Sequence, residues 1–146
     1  MTGPTYDAFV SYRHREPITG WVRDVLVPRV EGDGLTALVD YRDFALGTPV
    51  TDLMATAVEQ TVYTIAVMTP EYLLSTYTHL ETVLTQHLGL EQALWRLIPV
   101  VREPVRLPLN LRMLLWLDMT DDARAEAGFE RLCARLHQPP PQVALS

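Results

Sequence analysis

Short apolar runs alternate with helical patterns along the chain. Ala8-Phe9-Val10 opens a first strand, after Tyr6-Asp7 and before Ser11-Tyr12. Trp21, Val22, Val25, Leu26 and Val30 then recur at three- and four-residue spacing, the mark of a helix with one apolar face. Pro28 has no N–H to donate, which predicts a kink or an early end there. Gly32-Asp33-Gly34 reads as a turn, Leu35 to Val39 as a second strand, and Asp40 to Pro49 as a polar loop. Thr51 to Gln60 reads as a helix with Thr51 as its N-cap. Tyr63 to Met68 is a continuous β-branched and apolar run closed by Thr69-Pro70. Such a run suits a parallel strand covered on both faces.

The second half repeats the alternation. Glu71 to Leu88 reads as helix with Gly89 as its stop, and Leu97 to Val101 as a fourth strand. Pro104 and Pro108 frame a loop, Met113 to Leu117 reads as a fifth strand, and Asp121 or Asp122 caps a last helix through Leu136. Five strands alternating with helices predict an α/β fold: a doubly wound, five-stranded parallel sheet with helices on both faces. The domain is expected over 1–138. The proline-rich stretch 139–146 reads as a linker to a further region.

Composition narrows the function. Twelve Arg stand against no Lys at all, with a net charge of −6. A Walker-type phosphate loop and a Schiff-base enzyme are thereby excluded, since both need lysine. The acidic balance argues against nucleic acid or an anionic membrane as partner. A single cysteine, Cys133, cannot form an internal disulfide, and Leu132 and Leu136 beside it suggest a buried, inert thiol. The start carries no signal-peptide pattern, and no run of eighteen apolar residues spans a membrane. The expectation is a cytoplasmic domain. His14, His79, His87 and His137 are scattered without metal-ligand spacing, so no metal is expected. Trp21, Trp95 and Trp116 read as core.

The sheet alone does not name a function. Gly32-Asp33-Gly34-Leu35-Thr36-Ala37 matches G-x-G-x-x-A, yet it leads into a strand, so no helix N-terminus faces a pyrophosphate. Ser11 to Pro17 lacks a Ser/Thr-Gly phosphate cradle. Glu81 is the informative residue. At about 100° per residue, Leu73, Tyr77, Leu80, Leu84 and Leu88 share one arc of their helix, and Glu81 falls on it. A carboxylate in an apolar stripe costs desolvation energy unless something offsets it. An exposed or arginine-paired edge residue and a functional carboxylate both fit that pattern.

Three segments, in order, resemble the TIR (Toll/interleukin-1 receptor) domain family over nearly the whole chain. Tyr6-Asp7-Ala8-Phe9-Val10-Ser11-Tyr12-Arg13 resembles the family's first box. Asp40-Tyr41-Arg42-Asp43-Phe44-Ala45-Leu46-Gly47 resembles the second box and its BB loop, with Leu46 in place of the usual proline. Ser75-Thr76-Tyr77-Thr78-His79-Leu80-Glu81 fits S-x-W-C-x-x-E, the stretch that holds the catalytic glutamate of NAD-cleaving members, with Tyr for Trp and Thr for Cys.

The resemblance implies a flavodoxin-like fold and an NAD+ glycohydrolase of bacterial type, activated by self-assembly in defence or virulence signalling. The nicotinamide of NAD+ is cationic and leaves as a neutral pyridine, so one carboxylate suffices where O-glycosidases need two. Glu81 would then steady the oxocarbenium-like state, giving ADP-ribose or a cyclic ADP-ribose. By the same resemblance Tyr12 meets a ring, Arg13 a phosphate, and Tyr77 stacks on a base, with Asp40, Arg42, Phe44 and Ser75 as further substrate contacts. Asp40, Arg42 and Asp43 equally fit a local ion pair. Asp43, Phe44, Leu46, Gly47 and Pro49 belong to the BB loop, the implied self-association surface. NAD+ enters as substrate, with no cofactor, and a sensor region beyond the C-terminus is the implied trigger. The rival reading is a non-catalytic TIR–TIR adaptor. Without lysine, a phosphate grip falls to arginine, which directs attention to Arg13 and Arg42.

Overall fold

The computed structural model describes residues 4–140. Strand β1 (Tyr6–Ser11) leads into a long helical segment that runs as α1 (Ile18–Trp21), a π-helical stretch (Val22–Leu26) and α2 (Val27–Gly32). Pro28 does not end this helix; a π-helical stretch lies directly before it, a common companion of a proline within a helix. Then follow β2 (Ala37–Leu38), α3 (Asp40–Asp43), α4 (Val50–Gln60) and β3 (Thr61–Met68). The second half adds α5 (Pro70–Ser75), α6 (Tyr77–Leu88), α7 (Leu90–Arg96), β4 (Leu97–Val101), α8 (Leu109–Arg112), β5 (Leu117–Asp118) and α9 (Ala125–Leu136).

All pairings are parallel, in the order β2-β1-β3-β4-β5. Helices therefore cover both faces, and strand side chains alternate between two cores. Tyr63, Ile65 and Val67 pack toward Val22, Leu26, Val30, Phe129 and Leu132 on one face. Ala66 and Met68 pack toward Met54, Val58, Tyr72, Leu80 and Leu84 on the other. Cys133 lies buried in the first core, as its neighbours suggested. Asp121 caps the last helical segment, accepting from the Ala123 N–H.

Several sequence expectations need correction. Strand β2 pairs over two residues only, and Asp40–Asp43 is a helical turn within the expected loop. Pro49, not Thr51, occupies the N-cap position of α4. The helix expected over Glu71 to Leu88 breaks at Thr76, where the Ser75 hydroxyl bonds back to the Glu71 carbonyl at 2.7 Å and competes with the ladder. Gly89 ends α6 at φ 79, a conformation suited to glycine, and α7 follows at once, an element the sequence reading lacked. Strand β5 is not Met113 to Leu117: Met113 and Leu115 are exposed and only Leu117 enters the sheet. Trp95 and Trp116 are 49% and 40% exposed, so only Trp21 is core.

One hydrogen bond ties the two halves together beneath the sheet's carboxyl edge. The hydroxyls of Ser11, at the end of β1, and Tyr72, in α5, lie 2.8 Å apart and both are buried. Tyr72→Phe strands the Ser11 hydroxyl without its partner, which costs about 1–3 kcal/mol. Urea unfolding is expected to show a lower midpoint at unchanged slope.

Candidate functional site

Carboxyl ends of parallel strands face the crevice where open α/β sheets bind ligands. At the end of β1, Ser11, Tyr12, Arg13 and His14 line a cleft of 260 Å³, closed by Asp40, Val50, Leu53, Met54 and Thr76. Asp40 organises it. Its Oδ1 accepts from the Tyr12 hydroxyl at 3.2 Å and from the Tyr41 N–H at 2.8 Å, while Oδ2 pairs with His14 Nε2. The His14 ring stacks on Tyr12 at 4.5 Å between centroids, 18° from parallel. Burial, then the Asp40 carboxylate, push the Tyr12 hydroxyl well above the usual phenol range.

Glu81 lies in a second, larger cavity. Helix α6 places it one turn after Tyr77, whose hydroxyl donates to Glu81 Oε2 at 3.1 Å. Asn110 of α8 donates its Nδ2 to the same oxygen at 2.6 Å. The Tyr77 hydroxyl is held protonated by burial and by the adjacent carboxylate, which push its pKa well up. The surrounding cavity of 760 Å³ is walled mainly by Leu84, Leu90, Ala93, Leu94, Met113 and Leu114. None of its lining residues is Arg or His. A carboxylate fixed at the polar end of an apolar cavity favours positive charge on whatever faces it.

The TIR-domain family model matches residues 8–133. The chain belongs to the TIR domain family. Human Toll-like receptor 1 is 26% identical over 100 residues, 68% of this chain and 12% of the receptor. Mouse Toll-like receptor 6 matches with the same identity and the same coverage. The chain thus spans about an eighth of these relatives. Among solved structures, the TIR domain of the Toll-related receptor TRR-2 from Hydra magnipapillata superposes at TM-score 0.74, with 24% identity over 92% of this chain and 100% of that one. A metazoan TIR-STING receptor from C. gigas, solved with 2',3'-cGAMP, gives 0.77 and 26% over 95% of this chain and 41% of that one.

The TIR domain brings the expected site residues together only in part. Tyr12, Arg13 and Asp40 share the first cleft, whereas Tyr77 and Glu81 line the second. Arg42 points to neither; its guanidinium forks onto Glu31 at 3.0 and 2.8 Å and also reaches the Ala37 carbonyl at 2.8 Å. Asp43 Oδ2 accepts from the Val39 N–H at 2.8 Å, and Phe44 packs against the second core. These three residues anchor the BB loop. Gly47 turns it at φ 88, Leu46 stands fully exposed at its tip, and Pro49 opens α4. Ser75 faces its own helix carbonyl. Asn110 and His14 escaped the sequence reading, because their partners lie 29 and 26 positions away and only the fold joins them. Among the described residues no three of His, Cys, Asp and Glu gather as a metal site requires, and no helix is long and apolar enough to cross a membrane.

The Asp40 hydrogen bond, outweighing partial burial, raises His14 above its ordinary value of 6.5. The folded TIR domain therefore holds this proton more tightly than the unfolded chain does. That stabilisation is complete below the unfolded value and is lost as pH rises through the raised folded one. Wild type is expected to exceed His14→Asn in denaturant midpoint at about pH 5.5, with the gap closing by about pH 9. A gap independent of pH contradicts the pairing.

Proposed function

We propose that this TIR domain cleaves the nicotinamide–ribose bond of NAD+ when its protomers assemble, with Glu81 as the catalytic carboxylate. The observation that carries the reading is the fixing of Glu81 by Tyr77 and Asn110 at the polar end of an apolar cavity. Positive charge spreads from the departing pyridinium to the ribose anomeric carbon in the transition state. A carboxylate held in place by two donors lowers the energy of that charge without reorganising at the moment of reaction. The leaving nitrogen departs neutral, so no general acid is required. Water attack yields ADP-ribose; attack by a group of the same molecule yields a cyclic ADP-ribose.

The diphosphate needs cations that the Glu81 cavity does not supply. Arg13 lines the other cleft and Arg42 is engaged by Glu31. A dinucleotide with its nicotinamide ribose at Glu81 therefore finds its phosphate partners outside that cavity, and assembly is the step that supplies them. The exposed BB-loop tip, with Leu46 and Val50 facing solvent, supports self-association through this loop. The same tip and the likeness to Toll-like receptors support the rival reading, a TIR–TIR interaction module without catalysis.

The two readings separate in one assay. Wild-type protein is expected to release nicotinamide from NAD+ at a rate per protomer that rises with protein concentration. Glu81→Gln, which keeps the shape, is expected to lose activity by about a hundredfold or more, the scale of removing one electrostatic stabiliser. Leu46→Asp is expected to abolish the concentration dependence. Wild-type turnover in Glu81→Gln overturns the catalytic assignment, and no release at any concentration favours the interaction module.

A further inference from the structure

The charge inventory of the Glu81 cavity points to a second substrate class. Its apolar walls fit a flat ring, and its charged lining residue is Glu81 alone. Thr82, Thr85 and Gln86 add neutral polar groups along one side, and Asn110 holds the carboxylate. No cation lines it, so a phosphate held there would meet the like charge of Glu81 with no partner to offset the repulsion. A cationic ring on an uncharged sugar meets the opposite situation: its charge faces Glu81, its plane faces Leu84, Leu94 and Met113, and its hydroxyls face Thr85 and Gln86.

We propose that the Glu81 cavity of a single protomer binds and hydrolyses phosphate-free pyridinium ribosides, of which nicotinamide riboside is the probe. This rests on the assignment of Glu81 as the carboxylate that stabilises ribosyl cation character. In the reaction the bond between the ribose anomeric carbon and the ring nitrogen breaks, and its electron pair stays on nitrogen. Nicotinamide leaves neutral, a water oxygen bonds to the anomeric carbon, and the water's proton passes to solvent. Free ribose and nicotinamide are the products, with no oxidant, reductant or co-reactant. Assembly, which NAD+ requires for its diphosphate, is not required here.

The test compares nicotinamide riboside, its 5'-phosphate and uncharged nicotinamide, with binding read by ligand-detected NMR and cleavage by nicotinamide release. Wild type and Leu46→Asp are used at concentrations where light scattering shows a monomer. The riboside is expected to bind at least about tenfold more tightly than its phosphate, the factor that a like charge near Glu81 imposes. It is also expected to be hydrolysed at a rate per protomer independent of concentration. Glu81→Gln should erase the preference and the hydrolysis together. Gln86→Lys, at an exposed cavity position, should invert the preference while leaving the thermal midpoint unchanged. Equal or tighter binding of the phosphate, or riboside binding that survives Glu81→Gln, overturns the proposal. Cleavage of NAD+ by assembled protein without riboside hydrolysis overturns it and leaves the NAD+ reading standing. Riboside hydrolysis without NAD+ cleavage supports it and removes the NAD+ reading.

Discussion

Strand β3 pairs with β1 on one side and β4 on the other, and all of its eight residues except the partly exposed Val62 are buried. A parallel sheet built around such a strand has to be covered by helices on both faces, and each crossover returns the chain to the same edge. Every carboxyl end then opens on one edge of the sheet. The loops after β1, β2, β3 and β4 are forced to share it, and these loops and the helices they start carry Tyr12, Arg13, Asp40, Tyr72 and Asn110. The buried Ser11–Tyr72 bond fixes how deeply α5 sits against that edge. From there the break at Thr76 aims α6 so that Tyr77 and Glu81 turn away from the β1 cleft and into the cavity beside α7 and α8.

That turn divides the chemistry. One cleft holds an aromatic and ionic cluster, with Asp40 binding Tyr12, Tyr41 and His14 at once. The other holds one carboxylate among aliphatic walls. Both Tyr77 and Asn110 donate to Oε2, so Oε1 carries neither of these bonds. Charge-assisted hydrogen bonds to one oxygen orient the group, and no cation of the lining competes for its charge. The arrangement suits a group that stabilises a neighbouring cation without covalent chemistry of its own.

The sheet was legible because β1, β3 and β4 each hold an uninterrupted apolar stretch, Ala8–Val10, Ile65–Met68 and Leu97–Val101, the pattern that two-sided burial demands. Met113 to Leu117 carries the same pattern and misleads. An apolar run reads alike whether it enters the sheet or lies exposed, and here Met113, Leu115 and Trp116 face outward while Leu117 alone pairs. The break at Thr76 had no glycine or proline to announce it; a Ser-Thr pair whose hydroxyls compete for the backbone was the available sign. At the site, the i,i+4 pairing of Tyr77 with Glu81 was written in the helix period. Asn110 and the His14–Asp40 pair were not, since contacts across loops follow from topology rather than spacing. Arg42 looked available for phosphate because nothing in its own loop reveals Glu31, eleven residues upstream.

Which of the two cavities receives the reacting end of the substrate is the question on which the account stands. It is answered most directly by the side-chain carboxyl carbon resonances of Glu81 and Asp40, followed by NMR as a non-cleavable carbocyclic analogue of NAD+ is added to assembled protein. A saturable shift at Glu81, absent in Leu46→Asp at monomer concentrations, is the predicted result. A shift at Asp40 with Glu81 unmoved would place the pyridinium end in the β1 cleft and contradict the assignment of Glu81.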